Sequence, residues 1–476
     1  MHHWQLMTDA EIERIRAGAI RVLAKTGFRF LHREILEGLE KRGCPVDFTT
    51  CTASVTSEIV SRLEQAARAS APAAAEEPLL RRLIPAGSPI GHNFTCYYDA
   101  TEGARRAARL DDIRNVVRAW HMLPEITHSG PCMTAQDVPA PIEPIVSTVE
   151  TLKLTDKIRH CPEMILGAQL PYLEELETLM NGTPTVYRAS GCSVNRFTLD
   201  ERAAECLLAV HKRNGLEQWW INSCPVTGFT APVTLAGAIV VGVAETMGGW
   251  LAGWALNEAV GLNAIPLAGV MDMQTGRVLF SAPEAILLNA ALYQFFHRLY
   301  GLRIGLCAGY TDAKVPGLQA MNDKLLRSLA FGWFTDEVGG QNGTLDAGNI
   351  YSPTQQVLDL EINRQTARLA RGFDVSEEDL CLEGIERLAA RSDGVFLGEE
   401  HTLRHFRETL WQPALMDRSA FCDAEEERRK DRELVDRAEA KWRNALASYH
   451  APEQDADKIT AAEQVVSRAR RALLAS

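Results

Sequence analysis

One stretch constrains the fold more than any other: from Ile221 to Ala244 the chain carries no charged side chain. Such a run is long enough to cross a bilayer. However, two prolines interrupt it near its start, and Glu245 would lie near the bilayer centre at a cost of roughly 2.5–3.5 kcal/mol. No Lys or Arg between Arg213 and Arg277 could anchor either end. We therefore predict a buried helix and no membrane span.

The local sequence also predicts how this helix begins and packs. Thr230 has the side chain of an N-cap, and Pro232 would stand just inside the helix, where its missing N–H costs nothing. A helix that is apolar all round is buried on most sides. Its glycines let neighbouring backbones come close; they are Gly237, Gly242, Gly248, Gly249 and Gly253.

Composition and charge exclude some classes of protein. The formal net charge is −12, which argues against nucleic-acid binding because that depends on basic patches that neutralise phosphates. The 11 cysteines are scattered, and no two form a C-x-x-C pair, so we expect reduced thiols. The first residues lack the apolar core of a signal peptide. We therefore expect a cytoplasmic protein.

From about Ile126 onward, short strand-like runs alternate with helical segments. The predicted strands are 125–130, 163–170, 185–195, 218–226, 264–272, 303–312 and 336–346. The predicted helices between them include 199–215, 283–301 and 317–333. Repeated strand–helix units favour an α/β fold of the (β/α)₈ TIM barrel type. A doubly wound sheet is the alternative, weakened by the absence of a glycine-rich fingerprint after a first strand.

The barrel pattern implies three regions along the chain. Residues 1–80 are predicted to be a helical N-terminal segment, in which Thr8 caps a helix that Gly27 ends. Residues 81–372 form the predicted barrel. Residues 373–476 are expected to be a helical extension that packs on the barrel, and the charged helix from Asp423 to about Ala447 indicates a solvated or oligomer-packing surface.

No familiar metal-binding, nucleophile or phosphate-binding motif is present. In a barrel the chemistry lies at the carboxyl ends of the strands. Polar side chains predicted there are Gln169, Ser193, Asn195, Asn222, Ser223, Asp272, Tyr310, Asp312, Gln341 and Asn342, and nearby aromatic ones are Tyr97, Tyr98, Trp333, Phe334 and Tyr351. Amides and aromatic rings with few cations suit a pocket for an organic cation.

Several segments, in order, resemble the trimethylamine methyltransferase superfamily. They are 97–118, 231–253, 311–324 and 401–418, and the resemblance covers nearly the whole chain to Arg418. It implies a (β/α)₈ barrel that moves a methyl group from a methylated amine to the cobalt of a cognate corrinoid protein. With ordinary residues throughout, the chain resembles the branch that lacks pyrrolysine and includes betaine demethylation. No tightly bound cofactor or metal is implied, and a homo-oligomer is expected.

The resemblance implies substrate binding by residues of the barrel, with no nucleophile from the chain because the partner's Co(I) supplies it. The residues predicted to bind substrate are Tyr97, Tyr98, Gln169, Asn195, Asn222, Tyr310, Asp312, Gln341 and Tyr351, with Glu245 and Asp272 supporting them from behind. The chain has no histidine between Arg303 and Glu400, unlike glycine betaine demethylating members. Lys314, Arg303 or Arg327 would bind a substrate carboxylate instead.

Two other functions are compatible with the sequence. One is a barrel enzyme of another class, such as a lyase or a metal-dependent hydrolase. The other is a non-catalytic betaine-binding or assembly protein. A measurement of methyl transfer to Co(I) distinguishes the methyltransferase from both alternatives.

Overall fold

Helices and short strands alternate along most of the chain. The computed structural model describes residues 4–72, 94–182, 189–194, 197–335, 340, 342–391 and 394–475. The predicted site residues Asn195 and Gln341 lie outside these ranges. The protein is a mixed α/β structure in which helices predominate.

The N-terminal region begins with α1 (Asp9–Thr26), as the sequence predicts. The Thr8 hydroxyl and the Glu11 carboxylate form a capping box, and Gly27 ends the helix with a φ of 66°. There follow β1 (Phe28–Phe30), α2 (Arg33–Lys41), β2 (Val46–Asp47), β3 (Thr52–Ala53) and α3 (Ser57–Ala69).

Within the described residues, eight further helices each follow a short extended segment. They are α4 (Leu110–Met122), α5 (Glu143–Leu154), α6 (Leu170–Asn181), α7 (Glu201–Asn214), α8 (Leu235–Leu256), α9 (Pro283–Tyr300), α10 (Leu318–Phe334) and α11 (Pro353–Arg371). The predicted helices 199–215, 283–301 and 317–333 correspond to α7, α9 and α10, so their prediction is confirmed.

The strands are short and belong to three sheets. They are β4 (Cys96–Asp99), β5 (Ala104–Ala107), β6 (Ala189–Val194), β7 (Thr198–Leu199), β8 (Gln218–Asn222), β9 (Val226–Thr227), β10 (Gly261–Ala264), β11 (Gly269–Met271), β12 (Val278–Leu279), β13 (Thr344–Leu345) and β14 (Ile350–Tyr351). The sheet orders are β10-β8-β6-β7-β1-β3-β2, β12-β11-β9 and β13-β14-β4-β5.

Parallel pairing links consecutive segments. β6 pairs with β8 and β8 with β10, while β9 pairs with β11 and β14 with β4. Single backbone bonds join other neighbours: Thr134 N to Phe94 O (2.9 Å), Ser129 N to Lys157 O (2.9 Å), Gly305 N to Ala264 O (2.9 Å) and Ala347 N to Thr311 O (2.8 Å). Segments that are adjacent in sequence are therefore adjacent in space.

Two predicted strands are wrong. Residues 163–170 turn through a 3₁₀ helix (Gly167–Gln169) into α6, because the buried Gln169 amide holds this turn together. Residues 303–312 form no strand and contribute two single backbone bonds to their neighbours, one from the Gly305 N–H and one to the Thr311 carbonyl. Segment 125–130 makes only an isolated parallel bridge, between Ser129 and Ile158.

The apolar run forms α8, a buried helix as predicted. It is long and apolar enough to cross a membrane, yet 72% of its most apolar window is buried inside the protein. The predicted N-cap is wrong by four residues: the cap is Thr234. Thr230 instead belongs to the preceding turn, where its hydroxyl accepts a hydrogen bond from Val226 N–H at 2.9 Å.

Glycines of α8 allow side chains of two strands to touch its backbone. A Cβ added at Gly249 would lie 2.3 Å from Cγ1 of Ile221, and one added at Gly248 would lie 2.1 Å from the Phe28 ring. Since contacts this short do not occur, only glycine permits this approach. The helix thereby joins β1 of the N-terminal region to β8.

The C-terminal residues form α12 (Glu377–Leu380), α13 (Leu382–Ala389), α14 (Glu400–Thr409), α15 (Ala424–Ala447) and α16 (Ala456–Leu473). α15 packs between α4 and α11, and α16 packs on α5 and α6. By contrast, α12 and α14 contain no buried residue.

Replacing Gly249 with alanine is expected to destabilise the protein. Overpacking against the buried Ile221 costs about 1–3 kcal/mol, which exceeds the gain in helix propensity of at most about 1 kcal/mol. The urea midpoint, followed by tryptophan fluorescence, should fall. Gly398→Ala is the matched control because no atom lies within 4 Å of a Cβ there. An unchanged midpoint for Gly249→Ala would contradict the packing described.

Candidate functional site

The parallel strands β6, β8 and β10 have one buried face and one open face. Trp219 and Ile221 of β8 are fully buried towards the helices, whereas Trp220 and Asn222 are only half-buried. Along β6, Cys192 and Val194 are exposed in the same alternation. Because side chains alternate across a strand, these residues share one side, which we call the inner face. The inner face is open to solvent.

Tyr310 lies at the centre of the groups around this face. Burial raises the pKa of its phenol, and the thiols of Cys307, Cys224 and Cys192 lie close enough to contribute. Its ring meets that of Phe280 edge-on, with 5.5 Å between centroids. A Cβ at Gly348 would come within 2.7 Å of the Tyr310 ring. Phe280 and Gly348, from two other segments, therefore contact this ring, and the thiols of Cys192 and Cys224 lie near it.

Polar contacts fix Phe280 beside Tyr310. The Asp312 carboxylate accepts hydrogen bonds from the N–H groups of Phe280 (2.9 Å) and Ser281 (2.8 Å). Arg327 donates to the Phe280 carbonyl, and the Ser281 hydroxyl donates to the Tyr310 carbonyl at 3.0 Å. The two rings consequently form a preorganised aromatic wall, and Asp312 holds that wall in place.

The other groups at the inner face are thiols and an amide, and they carry no charge. Burial raises the pKa of the Cys307 thiol to about 11 and that of the Cys224 thiol further, so both are uncharged near neutral pH. The Asn222 amide donates to Cys192 Sγ at 3.8 Å. Its buried carbonyl oxygen has no hydrogen-bond partner among the described residues. This site offers one open acceptor, thiols and aromatic rings.

Glu245 of α8 supports the site from behind the end of β8. Its side chain is 4% exposed, and one carboxyl oxygen accepts the N–H of Cys224. Burial raises its pKa from 4.5 to about 8, so the carboxyl group is protonated near neutral pH. The adjacent Thr246 hydroxyl donates to the Ser223 hydroxyl at 3.1 Å. Two neighbouring residues of α8 thus fix the segment after Asn222.

Arg327 carries a buried positive charge beside the aromatic wall. Its side chain is fully buried, and its Nε donates to the Cys307 carbonyl at 2.8 Å. Burial lowers its pKa to about 10, which still leaves it charged at neutral pH. Within the described parts of the chain, its Nη2 has no hydrogen-bond partner. A group of opposite charge bound nearby would lower the cost of this burial.

Asp346 gathers cations from three distant segments. Arg277 (2.8 Å), Lys314 (2.7 Å) and Arg105 (3.4 Å) surround its carboxylate, which is 4% exposed. Burial opposes ionisation, but the three cations hold the pKa of Asp346 below its usual value. Asp346 and Ala347 both have positive φ, 48° and 55°. We call these four charged residues the Asp346 cluster.

Sequence reasoning missed the Asp346 cluster and the aromatic role of Phe280. The three cations are far apart in the sequence, and no local motif marks Asp346. Exposed apolar side chains stand beside two of the cations, namely Met273 near Arg277 and Val315 next to Lys314, and Phe229 stands on a neighbouring loop. A Cβ at Gly228 would lie 2.2 Å from Met273 Cε, so two of these loops touch.

The structure brings Tyr310 and Asp312 together at Ser281, places Asn222 against Cys192, and gives other predicted residues structural contacts. Gln169 accepts from the N–H groups of Ile165 and Leu166 and donates to two carbonyls. Its amide is therefore fully engaged by the backbone. The Asp272 carboxylate caps its own turn, accepting from Gln274 N–H at 3.0 Å.

The aromatic residues predicted near the rim occupy three places. Tyr351 is fully buried, accepts from Trp120 Nε1 at 2.9 Å and pairs in parallel register with Tyr97. Tyr98 packs on a small apolar cluster with Leu345 and Ile350. Trp333 and Phe334 contact Trp4, the first tilted and the second edge-on, with centroids 5.8 and 6.0 Å away.

The Glu245 carboxyl group should make stability depend on pH. Its pKa in the folded protein, about 8, exceeds 4.5, so the folded protein retains a proton that the unfolded chain releases. The resulting stabilisation is complete below about pH 4.5 and is lost as the pH rises towards 8. Relative to the parent, Glu245→Gln should gain roughly 1.4 kcal/mol per pH unit between about pH 5 and 8. Urea unfolding across this range measures the difference, and parallel pH profiles would refute it.

Comparison with known proteins identifies the family of this chain. A family model described as trimethylamine methyltransferase (MTTB) matches residues 1–473. A glycine betaine methyltransferase of Desulfitobacterium hafniense is 22% identical over 95% of this chain and 94% of the relative. A trimethylamine methyltransferase of Methanosarcina mazei is 23% identical over 98% of this chain and 95% of its own length.

A second strain of Desulfitobacterium hafniense has a trimethylamine methyltransferase that is 24% identical over 87% of this chain and 84% of that protein. The family model spans all but the last few residues, so the resemblance seen in four separate sequence segments is confirmed. The chain belongs to the trimethylamine methyltransferase family.

Proposed function

We propose that this protein transfers a methyl group from a betaine-type quaternary or N-methylated amine to the Co(I) of a corrinoid protein. The carbon–nitrogen bond of the cationic substrate, quaternary or protonated, breaks; the neutral amine that leaves keeps the electron pair, and the methyl group passes to the acceptor. The observation that carries the proposal is the aromatic wall of Tyr310 and Phe280 beside an open, neutral inner face.

The (β/α)₈ barrel expected for this activity has structural support. Eight helices, α4–α11, follow eight short extended segments. Backbone bonds link these segments in sequence order, and β14 of the last unit pairs with β4 of the first. Among the described residues no backbone bond joins the third segment to the fourth. A right-handed series of such units closes most simply as a barrel.

The chemistry of the inner face suits a quaternary ammonium group. Aromatic rings stabilise such a cation by roughly 0.5–2 kcal/mol each, and the uncharged thiols neither repel it nor attack it. The substrate already bears the charge that makes its amine a good leaving group. The main task of the chain is therefore to hold the cation and orient one methyl group towards the acceptor.

The buried charge of Arg327 favours a substrate that brings its own carboxylate. A simple quaternary cation near this guanidinium would meet repulsion in a medium of low dielectric constant. A betaine offers an anion to Arg327 and a trimethylammonium group to the rings. The argument applies to any number of carbon atoms between the carboxylate and the trimethylammonium group of the substrate.

A corrinoid carried by a partner protein supplies the Co(I) nucleophile when it is bound. Exposed Phe229, Met273 and Val315 provide apolar contacts for such a docking partner, and Arg105, Arg277 and Lys314 provide charged ones. Five of the six stand on loops and Arg105 stands on β5, and we place them around the open inner face, where a partner must reach a substrate held by Tyr310.

Carboxylate-bearing quaternary amines should raise the melting temperature more than choline-like amines of similar size. A ligand at 100 times its Kd adds about 2.7 kcal/mol to stability, which a thermal-shift assay detects. Arg327→Met, checked for native circular dichroism, should lose the preference for the carboxylate. Equal shifts with betaines and cholines in the parent protein would contradict the role given to Arg327.

Tyr310→Leu should weaken binding of the quaternary amine by about 2- to 30-fold, because one aromatic face is lost. Tyr310→Phe keeps the ring and should retain most of the affinity, and Tyr172→Leu on an outer helix is a further control. Methyl transfer is measured by the absorbance change of Co(I) cobalamin with each amine. An absence of transfer from every methylated amine tested, with Co(I) verified, would refute the proposed function.

A further inference from the structure

Four neighbouring segments place one residue each at the same level of the inner face, near the amino end of the strands. Ser190 of β6 pairs in register with Trp220 of β8, and Trp220 pairs with Asn263 of β10. All three residues are half-buried. Leu262 and Ala264, on either side of Asn263, are buried in the core, so Asn263 faces the other way, together with Trp220.

Arg303 occupies the same level on the next segment. The Gly305 N–H donates to the Ala264 carbonyl at 2.9 Å. In the parallel ladder of β8 and β10, each such donor lies opposite the residue that follows its acceptor. Gly305 accordingly lies opposite residue 265. Arg303, two residues earlier, therefore lies opposite Asn263.

The side chain of Arg303 turns towards the inner face. Its neighbours Leu302 and Ile304 are both 0% exposed and pack in the core, whereas Arg303 is half-buried. Since side chains alternate along an extended segment, Arg303 points away from the core. We call the four aligned residues the Arg303 row; they are Ser190, Trp220, Asn263 and Arg303.

The Arg303 row presents hydrogen-bond donors that lack acceptors. Asn263 Oδ1 accepts the Ala264 N–H at 2.8 Å, and its amide nitrogen has no partner among the described residues. Within the same ranges of the chain, the Ser190 hydroxyl and the Arg303 guanidinium have no partner either. A half-buried guanidinium has lost part of its hydration, and a bound anion lowers that cost.

The surroundings of the row leave its positive charge uncompensated. None of the described residues on the two adjacent levels of the inner face carries a carboxylate; they are Gln218, Gly261, Cys192, Asn222, Ile265 and Gly305. Neighbouring strands are about 4.8 Å apart, so Asn263 and Arg303 can donate to two oxygens of one group. The row therefore has the charge and the donors that an oxyanion requires.

We propose that the Arg303 row is a binding site for an oxyanion, either a carboxylate or a phosphate group, separate from the amine pocket. Asn263 and Arg303 donate to the oxygens of the anion, which a guanidinium binds through paired donors. The indole of Trp220 packs against the organic part of the ligand. Ser190 extends the row of donors beyond the indole.

This site lies well below the aromatic wall. Cys307, whose carbonyl accepts a hydrogen bond from Arg327, follows Arg303 by four residues, which is about 13 Å along an extended chain. A small betaine held at Tyr310 does not span this distance. The Arg303 row is therefore distinct from the carboxylate contact given to Arg327, and the inference does not depend on the proposed function.

Saturable binding of a simple anion tests the site. Inorganic phosphate and malonate are titrated separately into the full-length protein at constant ionic strength, while melting temperature and tryptophan fluorescence are recorded. At least one anion should raise the melting temperature and change the fluorescence. Arg303→Met, checked for native circular dichroism, should weaken binding about tenfold or more, because the charge-assisted donors are lost. Arg303→Lys keeps the charge without the planar fork and should fall between.

Trp220→Phe should keep the affinity measured by thermal shift and lose most of the fluorescence change. Arg371→Met removes an exposed charge at the end of α11 and should bind like the parent. No saturable binding of either anion would overturn the proposal, as would undiminished binding by Arg303→Met. Binding that is lost in Arg327→Met but kept in Arg303→Met places the anion at the aromatic wall and also overturns it. Binding of phosphate alone supports a phosphate ligand, and binding of malonate alone supports a carboxylate.

Discussion

The close approach of α8 to β1 and β8 is the constraint on which the rest of the structure depends. Gly248 admits the Phe28 ring, Gly249 admits Ile221, and Gly253 admits Trp219, each at a distance that a Cβ would forbid. The helix thereby fastens the N-terminal helices to the parallel strands. The same helix places Glu245 against Cys224, so the packing that stabilises the fold also fixes one side of the candidate site.

The same arrangement recurs throughout the candidate site. Side chains behind the site form hydrogen bonds to backbone groups, and these fixed backbone segments position the side chains that face the inner face. The Asp312 carboxylate accepts the Phe280 N–H, and Arg327 donates to the Phe280 carbonyl. Glu245 fixes the segment that follows Asn222. A reaction that needs mainly orientation benefits from such rigidity, because the cost of ordering the pocket is met when the protein folds. Few charged groups then need to touch the substrate.

Helices could be predicted where their signals are local. Thr8 and Glu11 form their capping box within one turn, so the sequence alone indicates where α1 starts. The strand predicted at 163–170 is wrong because Gln169 bonds to carbonyls of residues 140 and 141, a tertiary contact without local pattern. Of the residues in the site, Asn222 and Tyr310 could be predicted from the sequence because each is a polar residue at the end of an extended segment. Asp346 could not, since its cations come from positions 105, 277 and 314.

The Asp346 cluster has a consequence for how a partner arrives. Three cations share one carboxylate, so the Asp346 cluster keeps two positive charges in excess although the chain as a whole has a net charge of −12. A positive rim on an acidic protein guides an acidic surface to one orientation and repels it elsewhere. Encounter with such a partner would slow steeply as salt is added, while the affinity of the pocket for a small zwitterion would change little.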